Sequence, residues 1–522
     1  MKSSRILTGP VLIVLIAGGA ALAQVPEPDD TLNITATIPY QAQVASGAAY
    51  VYLGDDHTEI TNPVVIIEGF DIDNTMGWDF LYETMNQEGM IETLATRGFD
   101  AVVLDFTDAT DYIQRNSFVA VELINYVNSI IEPGASIAVV GASMGGLVGR
   151  YALAYMEDNG LNHNVRTFIS FDAPHKGANI PLGMQYWVKF FSIESDAAAE
   201  MLGSLQTPAP RQMLAYYFTD PPQSAPTSDA LLTELEADLA AVGGYPQLPR
   251  LVAVANGSGY MAGQTFGAGE QLILYEYNSF LVDIIGNVWA VPDGGGRMIF
   301  DGELNRIWPL PDDYLQVSVT GTLPYDNAPG GTRSSMAQMD STEAPYGDII
   351  ALHEAHCFIP TISALDIETE DLFYDIAGDA SLLAHTPFDT VYFPIENQEH
   401  IAITAESANW FVDEIERGVY ASVATPQVAA PRITLYQNSP NPFTSYTAVR
   451  FSLAEAGHAR LEVFDVAGRS VALLVDEMLP AGSAQATWNG QDARGRRVAP
   501  GIYFLNLSAG GSAVSVKMLL LK

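Results

Sequence analysis

The sequence predicts an α/β fold, a mostly parallel sheet with helices on both faces and a helical insertion, followed by a small all-β unit. Three observations carry this. The runs PVVIIEGFD at Pro63 to Asp71, FDAVVLDF at Phe99 to Phe106 and ASIAVVGAS at Ala135 to Ser143 are apolar on both faces, and each closes in a turn signal. Helical patterns such as DFLYETMNQEGMIETLATRG and NSFVAVELINYVNSII separate them, the alternation expected of parallel strands covered on both sides. From residue 433 the pattern changes to short alternating strands punctuated by Gly-Arg, Asn-Gly and Pro-Gly turns.

The elements follow in order. MKSSRILTGPVLIVLIAGGAALAQ, with Lys2 and Arg5 before a short apolar stretch and Ala21-Leu22-Ala23 after it, reads as a secretory signal peptide over residues 1–23. The expected mature protein is soluble, lacks a transmembrane segment and lies outside the cytoplasm. TLNITATIPYQA and AAYVYLGDD alternate apolar and polar residues and suit an antiparallel edge. After the three buried strands, NVRTFISFDAPHKGA supplies another strand and tight turn. Residues 179–247 read as a helical insertion, and the Trp187, Phe190 and Phe191 stripe is read as core rather than as a lid or acyl-chain surface. The sheet resumes at LPRLVAVANGSG, is interrupted by an added hairpin region at 271–324, and finishes with DTVYFPI and the helix SANWFVDEIERGVY. The α/β domain is thus expected over 24–421, a proline-marked linker over 422–432 and a β-sandwich over 433–522.

Charge narrows the partners. With 62 acidic and 23 basic residues the formal net charge is −39, so nucleic acid and anionic membranes are repelled. From Arg432 onward nine basic residues face six acidic ones, which leaves that part at +3 and the rest at −42. Two surfaces of such different charge suit different tasks. The single cysteine, Cys357, excludes an intramolecular disulfide and reads as a small buried apolar residue. No DxDxDG-like loop is present, LHEAH has its histidines three apart rather than four, and no cofactor or metal is expected.

The chemistry-bearing motif is GASMGG, Gly141 to Gly146, between an apolar run and the helical run LVGRYALAYM. A serine hydroxyl needs exposure, a base and oxyanion donors to act as a nucleophile. Ser143 on a sharp strand-to-helix turn obtains the first from flanking glycines and the third from the N–H groups of the helix that follows.

At this motif the chain resembles the α/β-hydrolases of the lipase and esterase type over roughly residues 62–420, with GASMGG and FDAPHKGA (Phe171 to Ala178) as the best parts. The resemblance implies an oxyanion hole from the backbone N–H of Met144 and of a residue after IIEGFD, for which Phe70 is the candidate. Glu68-Gly69 stands where such enzymes often have His-Gly. The family's chain order of serine, acid, histidine directs the base to His400 in NQEHIAIT, out of eight histidines. The acid is expected at Asp366, after FIPTISA, because His356 occupies the usual aspartate place; Asp389 in TPFDT is the rival. The implied activity is hydrolysis of small-molecule or lipid carboxylic esters through an acyl-enzyme. An acyltransferase, amidase or peptidase with the same triad stays open, as does a non-catalytic binding protein on a hydrolase scaffold.

The last ninety or so residues resemble the C-terminal sorting domain of type IX secretion substrates, on LYQNSPNPF, the DxxGR turn at Asp465 to Arg469, the WNGxD turn at Trp488 to Asp492, and GIYF at Gly501 to Phe504. That resemblance implies an immunoglobulin-like sandwich, engagement of the type IX machinery, export across an outer membrane, and an extracellular or cell-surface location.

Overall fold

The computed structural model describes residues 25–71, 76–341, 346–417, 433–435, 438, 441–453, 456–466, 468–480, 482–509 and 512–521. The expected signal peptide and linker lie outside the described residues. The chain divides into two compact units, Met1–Ala421 and Ser422–Lys522.

In the first unit, the alternating N-terminal runs form β1 (Asp30–Thr35) and β2 (Ser46–Tyr52), which pair antiparallel. The buried runs form β3 (Pro63–Ile67), β4 (Asp100–Phe106), β5 (Ile137–Ala142), β6 (Val165–Phe171) and β7 (Arg250–Val254). Between them lie α1 (Trp78–Met85), α2 (Met90–Thr96), α3 (Ile113–Ile130) and α4 (Met144–Asp158), and then the helical insertion α5 (Leu182–Phe191), α6 (Asp196–Leu205), α7 (Pro208–Met213) and α8 (Ala230–Ala241). The second interruption is β8 (Gln271–Leu274), β9 (Glu276–Asn278), β10 (Val282–Trp289), β11 (Arg297–Arg306) and β12 (Asp313–Val319), paired antiparallel with β14 (Ile350–Ala351) at the far edge. A two-stranded ladder of β13 (Gly330–Arg333) and β15 (His356–Pro360) accompanies α9 (Ser335–Asp340) and α10 (Thr361–Ala364); β16 (Thr390–Tyr392) and α11 (Ala405–Arg417) close the unit.

The main sheet runs β1-β2-β4-β3-β5-β6-β7-β16, with every pair from β4 to β16 parallel. Its continuous apolar strands serve two cores at once, because side chains alternate across a strand. Val65 and Ile67 of β3, Val102 and Leu104 of β4 and Val139 of β5 pack with α3 and α4 on one face. Val64 and Ile66, Ala101 and Val103, and Ala138 and Val140 pack with α1, α2 and α11 on the other. Each fully buried Val or Ile contributes about 1.5–3 kcal/mol, so polar substitution on either face of these strands is costly.

The aromatic stripe of α5 is core. Phe191 lies 4.5 Å from Trp187 and 5.8 Å from Tyr275, and Phe190 lies 5.7 Å from Phe300, ring centroid to ring centroid, which joins the helical insertion to the antiparallel sheet. Among the described residues no helix is long and apolar enough to cross a membrane.

The second unit holds two antiparallel sheets. One is β17 (Ile433–Leu435), β18 (Thr447–Leu453) and β21 (Gly482–Trp488); the other is β19 (Gly457–Asp465), β20 (Ser470–Leu479), β22 (Gly501–Ala509) and β23 (Ser512–Leu520). Val449 and Phe451 from the first share one buried cluster with Leu461, Val463, Leu505 and Leu507 from the second. The sequence motifs here build turns: the Asp465 carboxylate accepts from the Arg469 backbone N–H and its guanidinium, and Trp488 Nε1 donates to the Gln491 carbonyl.

Candidate active site

The parallel strands end together at one edge of the sheet, and the polar groups that follow them are collected there, as expected where open α/β sheets bind ligands. β5 stops at Ala142, and Ser143 follows with φ 53° and ψ −124° before α4 begins at Met144. A non-glycine residue held at such angles costs about 1–3 kcal/mol and persists only where its surroundings enforce it. The enforcement is steric. A Cβ on Gly141 would stand 2.3 Å from the Gly145 carbonyl oxygen, and one on Gly145 would stand 2.3 Å from that of Ile67. Only glycine lets the first turn of α4 come this close to β5 and β3.

His400 reaches Ser143 from the segment between β16 and α11. That segment folds back across the end of β7: Gln398 N–H donates to the Asn256 carbonyl at 2.8 Å, Asn256 Nδ2 donates to that of Ala402 at 2.7 Å, and His400 N–H donates to that of Thr332 at 2.8 Å. The imidazole Nε2 stands 2.8 Å from Ser143 Oγ, and Nδ1 stands 2.6 Å from Asp172 Oδ2. A carboxylate can only accept, so Nδ1 carries the proton and Nε2 accepts from the serine hydroxyl. The Phe358 ring packs edge-on against the imidazole at 4.9 Å. All three polar residues are buried.

The carboxylate against the imidazole is therefore Asp172, which corrects the expectation of Asp366. Asp172 directly follows β6, the neighbour of the strand that bears Ser143. Its N–H donates to the Val254 carbonyl at 2.6 Å, and its Oδ1 accepts the Asn256 N–H at 2.9 Å. Gly331 leaves room for it, since a Cβ there would lie 2.2 Å from Asp172 Oδ2. Asp366 stands elsewhere: its Oδ2 accepts from the Tyr245 hydroxyl at 2.6 Å and lies 3.7 Å from the Arg150 guanidinium, at the edge of a separate cavity of about 680 Å³. Asp389 is at the start of β16, where it accepts from Leu251 N–H. His356 is buried with Nδ1 2.8 Å from the Cys357 carbonyl, and burial pulls its pKa down to about 4.

The remaining expected residues are distributed as follows. Gly69 abuts Ser143, since a Cβ there would meet Ser143 Cβ at 3.0 Å, and Phe70 lines the same pocket as Ser143 and His400. Met144 opens α4, where a first-turn N–H has no intrahelical acceptor. The Glu68 side chain turns under this loop and accepts from Phe106 N–H; burial first, and Asp105 beside it second, hold its carboxyl well above the usual range. His175 Nε2 lies 2.7 Å from Ser170 Oγ, and burial together with Arg150 holds the ring neutral, in keeping with a structural part. Sequence reasoning missed Asp172 and Asn256. The available signal was the carboxylate itself at the end of the strand next to GASMGG, inside a run already singled out for its turn.

A narrow pocket of about 60 Å³ opens beside Ser143, walled chiefly by Phe70, Met76, Phe80, Leu81, Met85 and Phe358. The arrangement can deprotonate a hydroxyl, deliver it to a bound carbonyl and return the proton to a leaving group.

A family model described as a PGAP1-like alpha/beta domain matches residues 105–201, which include Ser143 and Asp172. No curated protein matches the chain. Among solved structures, Est1E from Butyrivibrio proteoclasticus is 19% identical over 27% of this chain and 50% of its own, with a TM-score of 0.21. The hyperthermophilic esterase from Pyrobaculum calidifontis is 17% identical over 44% of this chain and 66% of its own, with a TM-score of 0.27. The propeptide form of the Bacillus licheniformis lipase BlEst2 is 10% identical over 90% of this chain and 96% of its own, with a TM-score of 0.31. The match with Est1E thus spans half of that protein.

Proposed function

We propose that this α/β-hydrolase domain cleaves carboxylic esters through an acyl-enzyme on Ser143. The observation that carries the reading is the buried relay Ser143–His400–Asp172, with contacts of 2.8 Å and 2.6 Å. As Oγ attacks the ester carbonyl, its proton passes to Nε2, and the imidazolium that forms is stabilised by the Asp172 carboxylate. The oxyanion is received by the N–H groups of Met144 and Phe70. The alcohol leaves with the proton from Nε2, and water, activated by the same nitrogen, then releases the acid. The mostly apolar wall of the pocket suits the carbon chain of a short acyl group.

Labelling by a fluorophosphonate probe tests the nucleophile. Wild type is expected to be labelled at Ser143, while Ser143→Ala is neither labelled nor active, with hydrolysis down by several powers of ten. A Ser143→Ala variant that keeps full ester hydrolysis would refute the assignment.

The protein is proposed to act outside the cell, exported through its signal peptide and the residues after 433. The support is the ordered set of motifs in that segment and its positive charge against the acidic remainder. Removal of residues 433–522 should strand the enzyme in the periplasm of a type IX-competent host. Undiminished export of the truncated chain would sink the idea.

A further inference from the structure

The pocket beside Ser143 contains a cation that the catalytic relay does not use. Arg333 ends β13, whose preceding residue, Thr332, receives the His400 N–H on its carbonyl. It is the only arginine or lysine among the described residues that line the pocket. Its guanidinium lies over the Phe358 ring, 5.1 Å from the centroid, and the same ring packs on His400.

The Arg333 guanidinium makes no hydrogen bond or ion pair among the described residues, while its backbone belongs to the β13–β15 ladder. Apart from Arg297, which is exposed, every other described arginine of the first unit donates to a carboxylate or a carbonyl: Arg97 to Glu416, Arg115 to Asp111, Arg150 to Gly244, Arg166 to Ser136, Arg211 to Asp229, Arg250 and Arg417 to Glu414, and Arg306 to Asp313. In a chain with 62 acidic residues a partner was readily at hand. Instead Glu399, which also lines the pocket, acts on Arg333 only across a distance beyond an ion pair. None of the Arg333 side-chain nitrogens is sealed from solvent, so among the described residues the guanidinium is open to an acceptor that a ligand brings to the pocket. Burial draws its pKa down, and Glu399 opposes that shift.

We propose that Arg333 determines substrate specificity at the Ser143 site by pairing with an anionic group on the ester. Its planar fork of donors fits a carboxylate on the acyl arm or a phosphate on the alcohol arm. The mostly apolar pocket then takes the carbon chain, and the guanidinium takes the charge. This inference rests on the reading of the site as an ester hydrolase and deepens it by naming the substrate class.

The test compares monoethyl succinate (acyl-side carboxylate), 2-valeryloxyethyl phosphate (alcohol-side phosphate) and ethyl valerate (neutral), by pH-stat, with wild type, Arg333→Gln and Arg333→Lys. Wild type is expected to favour one anionic ester at least tenfold in kcat/KM over ethyl valerate, and the favoured one identifies the arm that carries the charge. Arg333→Gln should lose that preference by ten- to a hundredfold, chiefly through KM, and Arg333→Lys should restore part of it. Turnover of ethyl valerate without preference for either anion overturns the proposal while leaving the hydrolase reading intact. An equal loss on all three esters also overturns it, since Arg333 would then act only by supporting Phe358 and His400. If no ester is turned over, the hydrolase reading fails, and calorimetry on Ser143→Ala with succinate, inorganic phosphate and butyrate decides. Binding of either anion that disappears with Arg333→Gln upholds an anion site, and its absence refutes one.

Discussion

Replacing Asp172 by Asn tests the identity of the acid most directly, because it keeps the shape of the side chain and removes its charge. In the native site the Asp172 carboxylate lies 2.6 Å from His400 Nδ1 and is fully buried. At an effective dielectric near 20, two opposite charges about 4 Å apart attract by about 4 kcal/mol. That attraction is realised only when the imidazole becomes charged, in the transition state, so its loss falls on kcat by about a thousandfold. An amide at this position can also present N–H to Nδ1 and favour the wrong tautomer, which brings the expected loss to about ten-thousandfold, as in the trypsin-type precedent. Asp366→Asn, by contrast, disturbs only the contacts with Tyr245 and Arg150 and should leave kcat within about threefold, the change expected of a residue away from the reacting atoms. Initial rates on a neutral short-chain ester, with circular dichroism to check folding, decide the matter. The reasoning is refuted if Asp172→Asn keeps more than a tenth of the activity, or if Asp366→Asn loses more than a hundredfold.

Three further outcomes are expected. Gly331→Ala should lower kcat about a hundredfold, the usual result of an ångström-scale misplacement, because its Cβ would stand 2.2 Å from Asp172 Oδ2 and must displace it; an unchanged kcat would show that the carboxylate need not stand where it does. Phe191→Ala should cost about 3–5 kcal/mol in urea denaturation, since the ring packs on Trp187, Phe190 and Tyr275; altered acyl-chain preference with no loss of stability would instead favour a mobile lid. His356 is held neutral by burial, chiefly, with its native pKa near 4 against an ordinary 6.5. Between those values the unfolded chain binds a proton that the native chain refuses, so the stability present above pH 6.5 falls as pH drops toward 4, by about 3 kcal/mol in full. His356→Gln should remove that increment from the difference in urea midpoint between pH 7.5 and 4.5, and an identical difference in both proteins would count against it.

Much of the fold was legible because its signals are local. The period-two packing of VVII, AVVL and IAVV onto two faces forces a buried sheet, and the helical runs between these strands make it parallel. Ser143 was legible for the same reason: its neighbours Gly141 and Gly145 are required within a few residues of it, by the close approach of β5, α4 and β3. His400 could be reached through the family's chain order together with its place between the last strand and the last helix of the α/β domain. The rest depended on which strand lies beside which. Asp172 and His400 are 228 positions apart, and they meet because β6 and β7 are neighbours and the segment after β16 folds back over the end of β7. Asp366 was favoured because it follows FIPTISA, the stretch that resembles the place of the acid in lipases and esterases.

What the sequence by itself determined is therefore the layered architecture, the elbow that lifts Ser143 above the sheet, and the net acidic charge of the chain. Which carboxylate serves the imidazole, and that Arg333 stands beside it without an ion-pair partner among the described residues, were decided only by tertiary structure. The physical reason is that hydrogen bonds and ion pairs act over a few ångströms in space, and the distance between two side chains far apart in sequence is set by strand order, not by any pattern either one carries locally.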